Sequence, residues 1–260
     1  MAMQFAYFGT SHTGCQREHN EDSYLCNPKE TLFLVADGIG GQASGEIASK
    51  EAIKGVEEFV VRSRSEDLTW PMPYRQDLTL EQNRLLAATT LAHHRIHGLA
   101  NHDPAMKGMG TTLTGVIIEG DRLAVVNAGD SRLYRIRDGE IEQLTQDHSL
   151  VAEQERMGLL TKEEASRHPQ RHILTSALGI GPIENVTIDL SLLEIREKDL
   201  YLICSDGLTD MIGDKEILTT ANVFKSKSVK KIGLSLIQQA NLAGGRDNIT
   251  VVLLSFCKES

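Results

Sequence analysis

Cysteine, proline and aromatic side chains are all scarce: 4 Cys, 6 Pro and 1 Trp among 260 residues, with aromatics at 5%. Cys15, Cys26, Cys204 and Cys257 are scattered without a CxxC pair, which suggests neither a zinc knuckle nor a disulfide framework. Cys204 and Cys257 lie in or beside apolar runs and read as small core residues rather than nucleophiles. No run of about 18 apolar residues occurs, so no segment reads as a membrane span. The first residues, Met1-Ala2-Met3-Gln4-Phe5-Ala6-Tyr7, lack the basic region and long apolar stretch of a signal peptide. Basic residues are also outnumbered, 27 against 36 acidic for a formal charge of −9, whereas a general nucleic-acid binder shows a basic stripe. These absences predict a cytoplasmic protein with neither nucleic acid nor membrane as partner. No repeat, low-complexity tract or linker divides the chain, and its length suffices for one domain over 1–260 with a substantial core.

Against that background one stretch stands out. The run Thr31-Leu32-Phe33-Leu34-Val35-Ala36 reads as a buried strand and ends abruptly in Asp37-Gly38-Ile39-Gly40-Gly41. The glycines let the backbone turn sharply and approach whatever Asp37 holds. The same design recurs: Leu123 to Gly129 runs into Asp130, Leu200 to Ser205 runs into Asp206-Gly207, and Asp247-Asn248 opens the run Ile249 to Leu254. Carboxylates gathered on one rim of a sheet sandwich cannot all stay ionised without cations, because like charges at short range disfavour the charged form. A metal cluster resolves the conflict.

The remaining chain supplies the scaffold. A strand is predicted over 4–10, then a polar segment containing Arg17-Glu18-His19-Asn20-Glu21-Asp22 and a short apolar stretch at Tyr24-Leu25-Cys26. Helical spacing of Ala48, Ala52, Val56, Phe59 and Val60 predicts an amphipathic helix over 43–62, and Leu85, Thr89, Ala92, Ile96 and Leu99 predict another over 80–100. Between them, 63–79 reads as an irregular connection. His93, His94, His97 and His102 have no carboxylate or cysteine to complete a metal site and read as a solvated or partly packed surface. Strands over 111–118, 122–128, 132–137 and 140–144 predict an antiparallel meander, with Asp138-Gly139 as a two-residue hairpin turn. Residues 145–180 form a polar helical excursion with helices at 150–157 and 161–167, the second opened by a capping box at Thr161-Lys162-Glu163-Glu164. Strands over 186–194 and 199–205, a short helix from Lys215, a longer one over 227–242 stopped by Gly244-Gly245, and the final strand complete the order.

Carboxylate oxygens are hard ligands suited to magnesium or manganese, whereas zinc usually recruits His or Cys. Two such ions bridged by one carboxylate activate a water and neutralise a phosphoryl group, which fits phosphate-ester hydrolysis. An arginine near a metal-binding acid adds a bidentate partner for phosphate, so Arg17 gains meaning beside Glu21.

Seven stretches in order resemble the motifs of the metal-dependent type 2C protein serine/threonine phosphatases (the PPM family): Arg17 to Asp22, Val35 to Gly41, Gly110-Thr111-Thr112, Asn127 to Arg132, Asp147 to Val151, Cys204 to Asp210 and Gly245 to Thr250. Arg156-Met157-Gly158 and His168-Pro169-Gln170-Arg171 fit its bacterial branch. The resemblance covers nearly the whole chain. It implies an α+β fold, a four-layer α-β-β-α sandwich of two antiparallel sheets flanked by helices, with metals in a cleft at one end and the 145–180 excursion beside it. It further implies Asp37 as the ligand bridging two Mn2+ or Mg2+ ions, Asp206 and Asp247 completing one ion, and Glu21 with the Gly38 carbonyl facing the other. Asp22 would hold metal-bound water, Arg17 would grip the phosphate, Asn248 would support Asp247, and Asp130, Asp206 and Asp210 match a weaker third metal site. The implied reaction is in-line attack on phosphoserine or phosphothreonine by a water or hydroxide bridging the ions, without a phosphoenzyme. The implied partners are phosphorylated proteins and an opposing serine/threonine kinase. The chain departs from parts of the family in having Ile39 and Gln42 where histidines occur, so a metal-bound water is the first choice of general acid, with His172 and His148 behind it. Two other readings compete: a pseudophosphatase that keeps the fold for recognition, and a two-metal hydrolase of small phosphoesters or cyclic nucleotides.

Overall fold

A computed structural model describes residues 3–40, 44–224 and 228–258. The expectations placed on Gly41 and Gln42, and the first residues of the helices predicted from 43 and 227, lie outside them. The described elements are β1 (Met3–His12), β2 (Asp22–Asn27), β3 (Leu32–Ile39), α1 (Ser44–Ser65), α2 (Leu80–His102), β4 (Gly110–Thr111), β5 (Leu113–Glu119), β6 (Arg122–Ala128), β7 (Arg132–Arg137), β8 (Glu140–Gln143), α3 (Leu150–Arg156), α4 (Lys162–Arg167), β9 (Asp189–Glu194), β10 (Leu200–Cys204), α5 (Asp206–Thr209), α6 (Asp214–Phe224), α7 (Val229–Leu242) and β11 (Ile249–Lys258). Among the described residues no helix is long and apolar enough to cross a membrane.

The strands form two antiparallel sheets, one in the order β1-β11-β10-β7-β8 and the other β2-β3-β5-β6-β9, with β4 attached to β3. Because side chains alternate across a strand, apolar runs such as β3 bury both faces. Leu32, Leu34 and Ala36 face α1 and α2, while Phe33 and Val35 enter the space between the sheets. In the partner sheet, Leu200, Leu202 and Cys204 pack against α5, α6 and α7, and Tyr201 and Ile203 face inward. Three apolar layers thus bind four layers of secondary structure in the order helix, sheet, sheet, helix.

Local chemistry sets the ends of several elements. Thr79 caps α2 in a reciprocal box with Gln82, and Thr161 does the same for α4 with Glu164, as its sequence predicts. Asp138 and Gly139 both adopt positive φ, 51° and 85°, the conformation of a type I′ hairpin turn.

Three expectations need correction. The meander is broken: β5 pairs with β6 and β7 with β8, but β6 and β7 belong to different sheets, so Gly129-Asp130-Ser131 is a crossover and not a hairpin. Each strand sends apolar residues to two layers, and that pattern is the same whichever strand lies alongside. Cys257 is exposed on β11, its apolar neighbours notwithstanding, whereas Cys204 is in the core. His93 is not on a surface; it is fully buried, its Nδ1 accepts the Gly179 N–H at 3.1 Å, and burial pushes its pKa down to about 4.

Candidate active site

The site is assembled at one end of the two sheets, where strand ends and tight turns meet. Asp37 and Asp22 are register partners at the end of the β3–β2 pair. The Asp37 backbone is pinned from the side: its N–H donates to Thr112 Oγ1 at 2.9 Å, and its carbonyl accepts from the Thr112 N–H at 2.9 Å and Thr111 Oγ1 at 2.8 Å. This is what Gly110-Thr111-Thr112 does here. Gly38 must be glycine because the chain is crowded there; a Cβ would lie 2.1 Å from the Gly45 carbonyl oxygen and 2.6 Å from that of Glu21. A Cβ on Gly45 would in turn lie 2.6 Å from Glu21 Oε2, so the Glu21 carboxylate rests over the first turn of α1, where backbone N–H groups favour negative charge.

Asp206 and Asp247 arrive from the other sheet. Gly207 brings them together, since a Cβ on it would lie 2.0 Å from the Asn248 carbonyl oxygen. Asn248 ties three segments: its side chain donates to the carbonyls of Thr13 and His19, both at 2.9 Å, and accepts the Glu21 N–H at 2.8 Å. Replacing Gly207 with alanine should therefore push the Asp247-Asn248 turn away, at an overpacking cost of about 1–3 kcal/mol. The expected readout is a lower melting temperature together with a smaller rise on adding manganese; an unchanged response to manganese would count against the close approach.

Asp130 sits on the crossover turn, which is held by His148. The His148 N–H donates to the Gly129 carbonyl at 3.0 Å and its Nδ1 accepts the Gly129 N–H at 3.1 Å. Its Nε2 faces Asp189 Oδ2 at 2.9 Å, and the residue is 4% exposed, so both ring nitrogens are committed. Next to it, Arg132 grips Asp147 through Nε and Nη2. His172, from the 145–180 excursion, brings Nδ1 to 3.6 Å from Asp210 Oδ2 and 3.8 Å from Asp206 Oδ2, and the Arg171 guanidinium lies 3.6 Å from Asp210.

The electrostatics are those of acids forced together. Burial raises the Asp37 pKa well above the usual carboxylate range, and the charges of Asp22, Asp206, Asp130 and Asp247 raise it further. Burial and then Asp206 raise Asp130 in the same way, as they do Asp210. Asp22 is pushed up to about 7, chiefly by burial. Glu21 is raised by burial against the opposing pull of Arg17. Beside Asp206 and Asp210, the His172 pKa is raised, against the effect of burial. Arg17 donates from Nη2 to Asp247 Oδ2 at 2.7 Å, so the side chain expected to grip phosphate is paired with an acid expected to hold metal.

This donor set fits divalent cations. It consists of hard oxygens whose mutual repulsion a cation would relieve. Asp22 Oδ1 is buried with no hydrogen-bond partner among the described residues, an expensive state unless something else meets it. The grouping of His172 with Asp206 and Asp210, their ligand atoms all within 4.8 Å of one another, adds a nitrogen to a third position expected to hold carboxylates alone. From residue order His172 reads only as a possible proton donor, and Thr111, Thr112, Ser205 and Thr250 carry no assigned role. All four lie inside motif stretches, and a polar residue buried within an apolar run was the available signal.

Comparison with known proteins agrees with this geometry. Residues 8–232 match the family model of protein phosphatase 2C. The chain is 36% identical over 247 residues to the serine/threonine protein phosphatase PstP of Mycobacterium tuberculosis, a match that covers 95% of this chain and 44% of that protein. It therefore spans less than half the length of that relative. It is 34% identical over 248 residues to the serine/threonine phosphatase stp of Listeria innocua, covering 92% of this chain and 90% of that one. A crystal structure of the catalytic domain of PstP in complex with two manganese ions superposes with a TM-score of 0.82 at 33% identity, covering 99% and 100% of the two chains. With the family's sheets, its motifs in order and their acids converging at one end of the sandwich, the chain belongs to the protein phosphatase 2C family.

Proposed function

We propose that the chain is a metal-dependent phosphatase that hydrolyses phosphoserine and phosphothreonine in proteins. The observation that supports this most directly is the convergence of Asp37, Asp130, Asp206 and Asp247, from four separate stretches, into one cluster of acids. In this reading Asp37, Asp206 and Asp247 hold one cation, and Asp37, Glu21 and the Gly38 carbonyl the other. Asp130, Asp206 and Asp210 offer a third position. Manganese or magnesium bound there supplies charge neutralisation for a phosphoryl group and a water acidic enough to serve as nucleophile.

The chain's own groups do the rest. Arg17 spends Nη2 on Asp247 and keeps its remaining N–H donors for the phosphate oxygens. Asp22 Oδ1, which meets no donor among the described residues, is left to accept a hydrogen bond from the attacking water. Attack is in line with the departing serine or threonine oxygen and forms no phosphoenzyme. In support, the Ser205 and Thr250 hydroxyls beside the centre donate to Asp22. The departing oxygen needs a proton. His148 has no free nitrogen to provide it, whereas His172 is half-exposed and faces the cleft. By family resemblance the substrates are cytoplasmic phosphoproteins and the opposing enzyme is a serine/threonine kinase.

Phosphate release from a phosphothreonine peptide tests the proposal. Turnover is expected with manganese, none with chelator, and a loss of about 100-fold or more in Asp206→Asn. Binding of the peptide without release would favour a pseudophosphatase. Faster release from small phosphoesters or cyclic nucleotides would favour the small-molecule hydrolase.

A further inference from the structure

The Asp22 carboxylate has one bare oxygen and one that is doubly held. Oδ2 accepts from Ser205 Oγ at 2.8 Å and from Thr250 Oγ1 at 2.6 Å. Ser205 and Thr250 are fully buried and Asp22 is 7% exposed. Oδ1 is buried and meets no donor among the described residues.

The directions of these bonds follow from counting protons, because each hydroxyl has one to give. Thr250 gives its proton to the carboxylate, so in its 2.7 Å contact with Ser11 Oγ it is the acceptor. Ser11 is then the donor to Thr250 and accepts from Asn20 Nδ2 at 2.7 Å. Asn20 Oδ1 accepts the Asp22 N–H at 3.1 Å, which closes the ring. Ser205 donates to Asp22 and accepts the Thr250 N–H at 3.0 Å. Every hydroxyl proton in the ring is thereby spoken for, and none is left for Oδ1.

The ring also ties the two sheets together at the cleft. Ser11 and Thr250 are register partners in β1 and β11, Ser205 follows β10, and Asp22 opens β2 of the opposite sheet beside Asp37. Resting on the function proposed above, we infer that Ser205 and Thr250 are positioning residues for the reaction: their hydroxyls fix Asp22 by Oδ2 so that Oδ1 alone is presented to the cation centre. Partners of this kind, one bond removed from a metal site, orient the groups that touch it.

Thr250→Val tests the clamp with little change of shape, since valine keeps the branch at Cβ and suits a strand. Manganese affinity by calorimetry and steady-state kinetics on a phosphothreonine peptide are the two readouts. Thr250→Val and Ser205→Ala are each expected to weaken manganese binding about 10-fold and lower kcat about 10- to 100-fold, with KM changed less than about 3-fold. Thr250→Ser should return both quantities to within about 3-fold of the parent, because it restores the hydroxyl. In an Asp22→Asn background, Thr250→Val should add less than about 2-fold, as expected for residues acting through one group. If Ser205→Ala does not fold, the Val and Ser variants at 250 carry the test. Unchanged manganese affinity in Thr250→Val, failure of Thr250→Ser to rescue, or a full additional loss in Asp22→Asn would overturn the inference. If the affinities follow the expected pattern but no variant and no parent protein releases phosphate, the clamp stands and the proposed activity falls.

Discussion

Replacing Asp37 with asparagine is expected to cut phosphate release about 10³-fold and at the same time raise the melting temperature of the metal-free protein. The two effects have one cause. Asp37 is surrounded by Asp22, Asp206, Asp130 and Asp247, each of which opposes its ionisation. Without cations, the fold must either hold its negative charge against the others or take up a proton there, and both are a loss; in the proposed reading bound cations would relieve it. An amide removes the repulsion but cannot bridge two ions, so turnover should drop about 10³-fold, roughly 4 kcal/mol of lost transition-state stabilisation. Relief of about 2 kcal/mol of repulsion should raise the metal-free melting temperature by about 4–8 °C for a chain of this size. Calorimetric scans in chelator and in manganese, alongside peptide kinetics, read both. A metal-free Asp37→Asn protein that melts lower than the parent would contradict the argument from repulsion.

Chelated protein should be less stable at pH 8 than at pH 6.5, and manganese should reverse that order. The folded-state pKa values of Asp37, Asp130, Asp210 and Glu21 are raised, and that of Asp22 reaches about 7. A carboxyl whose pKa is higher folded than unfolded contributes stability that is complete below its unfolded value and is lost as pH rises through the folded one. For Asp22 that loss begins in the ordinary carboxylate range and runs to its end just above pH 7, so its last part falls between pH 6.5 and 8. Buried His93 works the other way, its pKa lowered to about 4, so its contribution is lost only as pH falls below the ordinary histidine value. Comparing pH 6.5 with pH 8 separates the two. Cations bind the ionised acids, so at about 1,000 times Kd manganese should add about 4 kcal/mol at pH 8, or roughly 8–16 °C in melting temperature, and less at pH 6.5. A flat or rising stability of the chelated protein from pH 6.5 to 8 would show that the acids are not pressed together.

Much of this was readable from residue order. The run Leu32 to Ala36 declares a strand buried on both faces, and Leu34 with Phe33 does face a helix layer and the inter-sheet layer respectively. Amphipathic spacing located α1, α2 and α7 to within a few residues, because helix packing repeats along the chain. Both capping boxes, at Thr79 and Thr161, are local signals of residue type and spacing. Pairing was another matter. Nothing in the residue pattern of β6 and β7 distinguishes a neighbour in the same sheet from one across the core, so the sequence predicts a continuous meander where the chain crosses between sheets at Asp130. His93 and Cys257 failed for a related reason, since polarity and apolar neighbours predict burial only on average.

The sequence by itself determined the acids and their setting: carboxylates placed where apolar runs stop, with glycines that allow close approach, and a motif order that marks the family. Tertiary structure alone decided what those acids do to one another. Asp22 reaches Ser205 and Thr250 across 183 and 228 positions of chain, and Arg17 reaches Asp247 across 230. Contacts over such distances are chosen by the packing of whole sheets, and hydrogen-bond direction, burial and repulsion between charges exist only once that packing has brought the groups together.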